Sequence, residues 1–234
     1  MIRDLLRVVE LSARLLVGRR WWIACLVPLV WPAFEAFRLL VRWRLESFQP
    51  VEAQNGLIGV PLAVLAVFLG VRVIAGEMER RTLEIAYTVP GGAVRVWLGK
   101  LAAGAVILIG AEALLAGAAH AFFTEVPPAA LYGALQAAVV YLVLSAGLAA
   151  LARSEITGAM LGAAVLFLNG LLTGFGSSQP RLSPFFNPLA ITGSSPEDTL
   201  AWTVQNRIGM VLLAAALTAL AVARAERRER LLGG

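Results

Sequence analysis

Six apolar stretches, each about as long as a bilayer is thick, constrain this chain more than any other feature. They run approximately Trp21–Val41, Gly56–Gly76, Trp97–Phe123, Ala129–Leu151, Ile156–Phe175 and Thr203–Ala223, each closed by charge, Pro or Gly. A helix rising about 1.5 Å per residue needs about 20 apolar residues to cross a hydrocarbon core of about 30 Å. Lipid offers no partners to backbone N–H and C=O groups, so each stretch is expected to satisfy them internally, as a spanning helix. The composition agrees: 59% of the 234 residues are hydrophobic and 15% charged, against about a quarter charged in soluble domains. The expected fold is an all-α integral membrane protein with six transmembrane helices.

The first stretch is not expected to be a cleaved leader. It is too long, the acids Asp4 and Glu10 precede it, and Pro32-Ala33-Phe34-Glu35 lacks a small-x-small cleavage pattern. The basic residues set the orientation. With the N-terminus in the cytoplasm, fifteen of the twenty lie inside, and only Arg38, Arg42, Arg44, Arg181 and Arg207 lie outside. The segment Thr124–Pro128 carries none. The positive-inside rule therefore predicts that both termini are cytoplasmic, and an odd number of spans would scatter this bias. A net charge of +5 distributed in this way reads as topology rather than as a nucleic-acid surface.

Residues 1–20 form a unit apart from the six-helix domain, 21–234. Ile2, Leu5, Leu6, Val9, Ala13 and Leu16 recur at helical spacing, with Arg3, Arg7, Glu10 and Arg14 on another face. The pattern predicts an amphipathic interfacial helix whose apolar face sits at the acyl boundary and whose arginines meet anionic headgroups.

Residues 77–96 form the longest and most polar cytoplasmic connection. Glu77/Arg81 and Arg80/Glu84 are i,i+4 pairs, so Glu77–Tyr87 is expected to be a short helix. Pro90-Gly91-Gly92 ends it, and helix resumes over Ala93–Lys100 into the third span. On the other side, residues 176–202 are rich in Ser and Pro yet contain Phe185, Phe186, Leu189 and Ile191. Those apolar residues predict a re-entrant or interfacial segment. Ser195-Pro196-Glu197-Asp198 has the form of an N-cap, a Pro at the first helical position and a capping acid, leading into the sixth span.

Several chemistries are excluded. One cysteine, Cys25, and one histidine, His120, leave no disulfide framework and no Cys/His metal cluster. There is no P-loop: Gly99-Lys100 is followed by Leu101, and Val94 stands where the leading Gly belongs. Glu77 and Glu79 lie beside two arginines with no histidine nearby, a poor catalytic pair. No enzymatic activity and no cofactor are expected. The bias of nineteen arginines to one lysine, Lys100, is that of a GC-rich or heat-adapted prokaryote.

The layout resembles the membrane subunit of ABC-2-type (type V) ABC transporters. The most specific stretch is Glu77-Met78-Glu79-Arg80-Arg81-Thr82-Leu83-Glu84, then Val89-Pro90, then Gly99-Lys100, with Arg81 in place of a usual Gly. The resemblance implies that Glu77–Tyr87 is a coupling helix seated in a separate nucleotide-binding ATPase. In that role Glu79, Arg80, Arg81 and Glu84 form the polar rim, Leu83 and Tyr87 the anchors, and Pro90 the bend, with Glu77 and Thr82 in the same coupling stretch. Arg153 and Glu155, in the short turn Ala152–Glu155, form a second contact. The implied assembly is a permease dimer in a prokaryotic inner membrane with two ATPase copies, exporting an amphipathic or lipid-linked substrate. A solvated loop stiffened by ion pairs, or a non-transporting scaffold whose elbow docks another partner, accounts for the same residues.

Within the spans, Glu112 lies mid-membrane, where a charge costs roughly 2.5–3.5 kcal/mol. It either touches a polar substrate or is structural, paired with Asn169 or Thr173 or held protonated. His120 reads as an interfacial hydrogen-bonding residue, and Glu35 and Arg38 as a mutual i,i+3 pair. Gly158-x-x-x-Gly162 and Gly170-x-x-x-Gly174 permit close helix approach. Because the resemblance places the second and fifth spans along a dimer interface and pathway, Asn169, Thr173 and Phe175 are candidate pathway residues. Tight packing within one subunit explains the same glycines.

Overall fold

A computed structural model of the chain describes residues 2–43, 46, 48–79, 92–174 and 180–226. Among them are six helices long and apolar enough to cross a membrane, and no strand. The chain is a multi-pass, all-α membrane protein.

Helix α1 (Ile2–Val17) ends at Gly18, whose φ of +102° suits a residue without a Cβ. The first span is broken: α2 (Ile23–Leu26) passes through a 3-10 turn (Val27–Leu29) into α3 (Val30–Leu40). Pro28 is the cause, since it has no N–H and its ring crowds the preceding turn. The second span begins at α4 (Pro50–Glu52), where Gln49 and Glu52 form a capping box. It widens into a π-helical stretch (Ala53–Gly59) and continues as α5 (Val60–Glu79). The third, fourth and fifth spans are α6 (Gly92–Phe122), α7 (Pro128–Ala152) and α8 (Glu155–Gly174). The 31 residues of α6 extend about 46 Å, longer than the hydrocarbon core, so the helix runs past it.

The sixth span, α9 (Pro196–Glu226), starts at the expected cap. Ser195 Oγ accepts from the Asp198 N–H at 3.1 Å and donates to Asp198 Oδ2 at 2.8 Å.

Helices α5 and α7 are the centre of the bundle. In the most apolar part of the second span 72% of residues are buried, and 67% in the fourth, against 11% in the fifth. Between helices in lipid the hydrophobic effect drives little, so close backbone approach carries the packing. A Cβ on Gly70 of α5 would collide with the Leu142 carbonyl of α7, and one on Gly158 of α8 would meet Ala149 of α7. The first glycine pair of α8 thus packs inside the subunit. Gly170, by contrast, faces open space.

Two charge-bearing ends follow. The base holds α1, the end of α5, the start of α6 and the α7–α8 turn; the crown holds residues 180–195. At the base, α1 packs on α6: Ser12 lies against Gly99, and Leu16 against Gly104. Ala13 and Leu16 are therefore covered by protein, while Val8, Leu11 and Leu15 remain exposed. Glu10 and Arg14 pair at 2.6 Å on the open side.

Candidate functional site

The connection expected to couple to a partner springs from a ring of charge at the base. Lys100 Nζ lies 2.7 Å from Glu77 Oε1 and 3.3 Å from the Val73 carbonyl, although Lys100 is almost fully buried. The ammonium thus ties the start of α6 to the last turns of α5. Arg72 Nε approaches Glu155 Oε2 at 3.5 Å, and its guanidinium lies 4.3 Å from the centre of the Phe68 ring. Glu79 Oε1 accepts from the Glu155 N–H at 2.7 Å. That N–H is one of the four at a helix start with no partner inside the helix, and a carboxylate there also meets the positive end of the dipole. Ser154 Oγ accepts the Thr157 N–H at 3.4 Å.

Three of the residues singled out for coupling, Glu77, Glu79 and Glu155, therefore lie in one ring, though they come from two connections. Arg153 ends α7 in the left-handed conformation, φ 55°, which turns the chain directly into α8. Arg80, Arg81, Thr82, Leu83, Glu84, Tyr87 and Pro90 lie outside the described residues. Lys100 and Arg72 are the members that sequence reasoning passed over as partners. The signal available was the single lysine of the chain at the mouth of a span, but its partner is 23 residues away and no i,i+4 rule finds it.

The crown is a second polar network. Phe185, Phe186, Ser183 and Asn187 are buried, so the loop is packed into the bundle. Gln54 Nε2 donates to the Phe186 carbonyl (2.9 Å), Asn55 Nδ2 to Phe185 O (3.1 Å), and Asn187 Nδ2 to Val51 O (2.7 Å). Asn206 of α9 donates to the carbonyls of Arg181 and Ser183, both at 2.8 Å. Asn169 joins two elements, donating to Tyr141 OH and accepting from Ser183 Oγ, each at 3.0 Å. The loop needs these amides because buried backbone carbonyls outside a regular helix or sheet require other donors.

The pathway candidates separate. Thr173 lines a cleft of about 530 Å³ between the π-helical stretch and α8, with Asn55 and Phe185. Its hydroxyl donates to the Asn169 carbonyl of its own helix at 2.9 Å. Glu112 lies instead on α6 against the backbone of Leu135, buried, with Oε1 unpartnered among the described residues. The structure thus does not pair Glu112 with Asn169 or Thr173. Phe175 lies outside the described residues. Glu35 and Arg38 pair at 2.8 Å, and His120 is exposed in the last turn of α6.

The class defined by this fold is a six-helix, multi-pass membrane protein with a charged ring at one end and a folded loop in the other. No protein-family model matches the chain, and no curated protein matches it.

Proposed function

We propose that this chain is the membrane-spanning permease subunit of an ATP-driven ABC exporter, of the ABC-2 kind its layout resembles. The observation that supports this most is the ring at the base. Glu77–Lys100 joins α5 to α6, and Arg72–Glu155 with Glu79–Glu155 joins α5 to α8. A push on the connection between α5 and α6 would then reach three spans together, as rigid-body coupling requires. In this reading the base and both termini face the cytoplasm of a prokaryote, and α1 is the elbow at the inner surface. Two permease chains, identical or not, bind two copies of a separate ATPase, which performs the hydrolysis. The substrate is amphipathic or lipid-linked, and Thr173 in the crown cleft is the pathway residue with open space before it.

The test is purification of the tagged protein in mild detergent, with mass spectrometry of what co-purifies and an ATPase assay. The expected result is a P-loop ATPase at near-equal stoichiometry with vanadate-sensitive turnover. Leu83→Asp and Glu79→Arg should each abolish ATPase binding while the permease stays folded. Because Glu79 also caps α8, Leu83→Asp is the cleaner of the two. Survival of the complex through both changes, or a folded protein with no ATPase, sinks the permease reading and leaves the scaffold.

A further inference from the structure

A groove of about 920 Å³ runs down the outside of the bundle between the first span and α5. Its walls are apolar: Val27, Val30 and Phe34 on one side, Val64 and Phe68 on the other, all exposed. At the base end the lining changes character, to Arg20 and Arg72. The twelve helical steps from Val60 to Arg72 measure about 18 Å along α5, more than half the hydrocarbon core and room for most of one extended acyl chain.

The arginines decide the occupant. Arg72 is held against the wall by Phe68 and offers Nε to Glu155, leaving other donors of its five-donor fork. The groove lining itself holds two guanidiniums and no carboxylate, so its mouth presents hydrogen-bond donors to whatever enters it. A guanidinium pair at the head of an apolar slot matches a phosphate on an acyl chain, since planar forks meet phosphate oxygens two at a time. A helix from a second copy of the chain would leave both guanidiniums facing apolar side chains at membrane depth, which is costly.

We infer that this groove binds one anionic phospholipid, its acyl chain along Val64 and Phe68 and its phosphate on Arg20 and Arg72. Arg20 and Arg72 belong to the first span's entry and to α5, so the lipid bridges the two elements that form the groove. It also bears on Arg72, whose partner Glu155 belongs to the base ring. The inference stands whether or not the chain transports anything.

The experiment uses the full chain in nanodiscs of equal phosphatidylglycerol and phosphatidylcholine, released into native mass spectrometry. One retained phosphatidylglycerol per chain is expected, favoured over phosphatidylcholine by about tenfold or more. Arg20→Glu, on an exposed side chain, should bring that preference down to parity, and Val64→Trp should expel the lipid by filling the slot. Arg19→Glu, one residue outside the lining, should leave it unchanged. Equal retention of the two lipids, retention through Arg20→Glu, equal loss with Arg19→Glu, or a lipid-free dimer would each overturn the inference. Should Val64→Trp fail to fold, the two arginine variants still decide it.

Discussion

The Glu79 carboxylate accepts a 2.7 Å hydrogen bond from the Glu155 N–H, joining the last residue of α5 to the first of α8. Two acids of like charge meet here because one uses its side chain and the other its backbone. The contact ties the α7–α8 turn to the end of α5.

Removing that cap should loosen the start of α8 without melting it, because Ser154 holds the Thr157 N–H independently. Glu79→Leu is expected to cost about 0.5–2 kcal/mol, the usual range for a lost N-cap acceptor, and Glu79→Gln less. Amide exchange should quicken at Glu155 and stay slow in mid-α8. Unchanged protection at Glu155 in Glu79→Leu would show that the bond does not exist in solution.

The Lys100–Glu77 pair is buried, and truncating one member leaves the other's charge buried without it. Lys100→Met should cost about 3–5 kcal/mol, and the double variant Lys100→Met/Glu77→Gln should recover much of it. Thermal unfolding in detergent for the four corners of the cycle measures the coupling. Additive losses would mean the two side chains do not depend on each other.

The two glycine pairs of α8 should behave differently. Gly158→Leu drives a side chain into Ala149 and should abolish the folded monomer, as should Gly70→Leu against Leu142. Gly170→Leu enters open space and should leave monomer stability within about 0.5 kcal/mol. If Gly170→Leu changes the oligomeric state alone, that face belongs to an interface between subunits.

In the crown, Asn206→Leu strands the Arg181 carbonyl and leaves the Ser183 carbonyl only the Phe186 N–H, and Asn169→Leu strands Tyr141 OH and leaves Ser183 Oγ only the Phe185 N–H. Each should cost about 1–3 kcal/mol, the penalty for buried polar groups left unpaired. Proteolysis between residues 180 and 195 should become faster in both variants while α5–α7 packing persists. Resistance equal to wild type would place the loop elsewhere.

Orientation is open to direct labelling, since Cys25 is the only cysteine and Cys25→Ala supplies a clean background. Cysteines placed at Glu125 and Ser194 should react with an impermeant maleimide from outside intact cells, and one at Arg153 only after lysis. The reverse pattern would turn the whole topology over.

The approximate positions of the six spans, the Ser195 cap and the Glu35–Arg38 pair were all legible locally, because each depends on neighbours within a few residues. The base ring was half legible: Glu77, Glu79 and Glu155 stand out as charge near the ends of spans, but Lys100 and Arg72 acquire their partners only through packing. Asn169 stands out in the sequence as a polar residue in a span, but its hold on the crown loop through Ser183 emerges only once the chain is folded.

By itself the sequence determined that the chain crosses a membrane six times and where, since bilayer thickness and backbone satisfaction translate directly into runs of about 20 apolar residues. It could not say which helices are central. The fourth and fifth spans have mean hydropathies of 2.0 and 1.8, yet 67% of one and 11% of the other is buried. Lipid tails are as apolar as a protein core, so hydropathy carries no inward or outward sense in a membrane. The tertiary structure alone decided that, through the places where Gly70 and Gly158 let backbones touch and where charges at the base found one another.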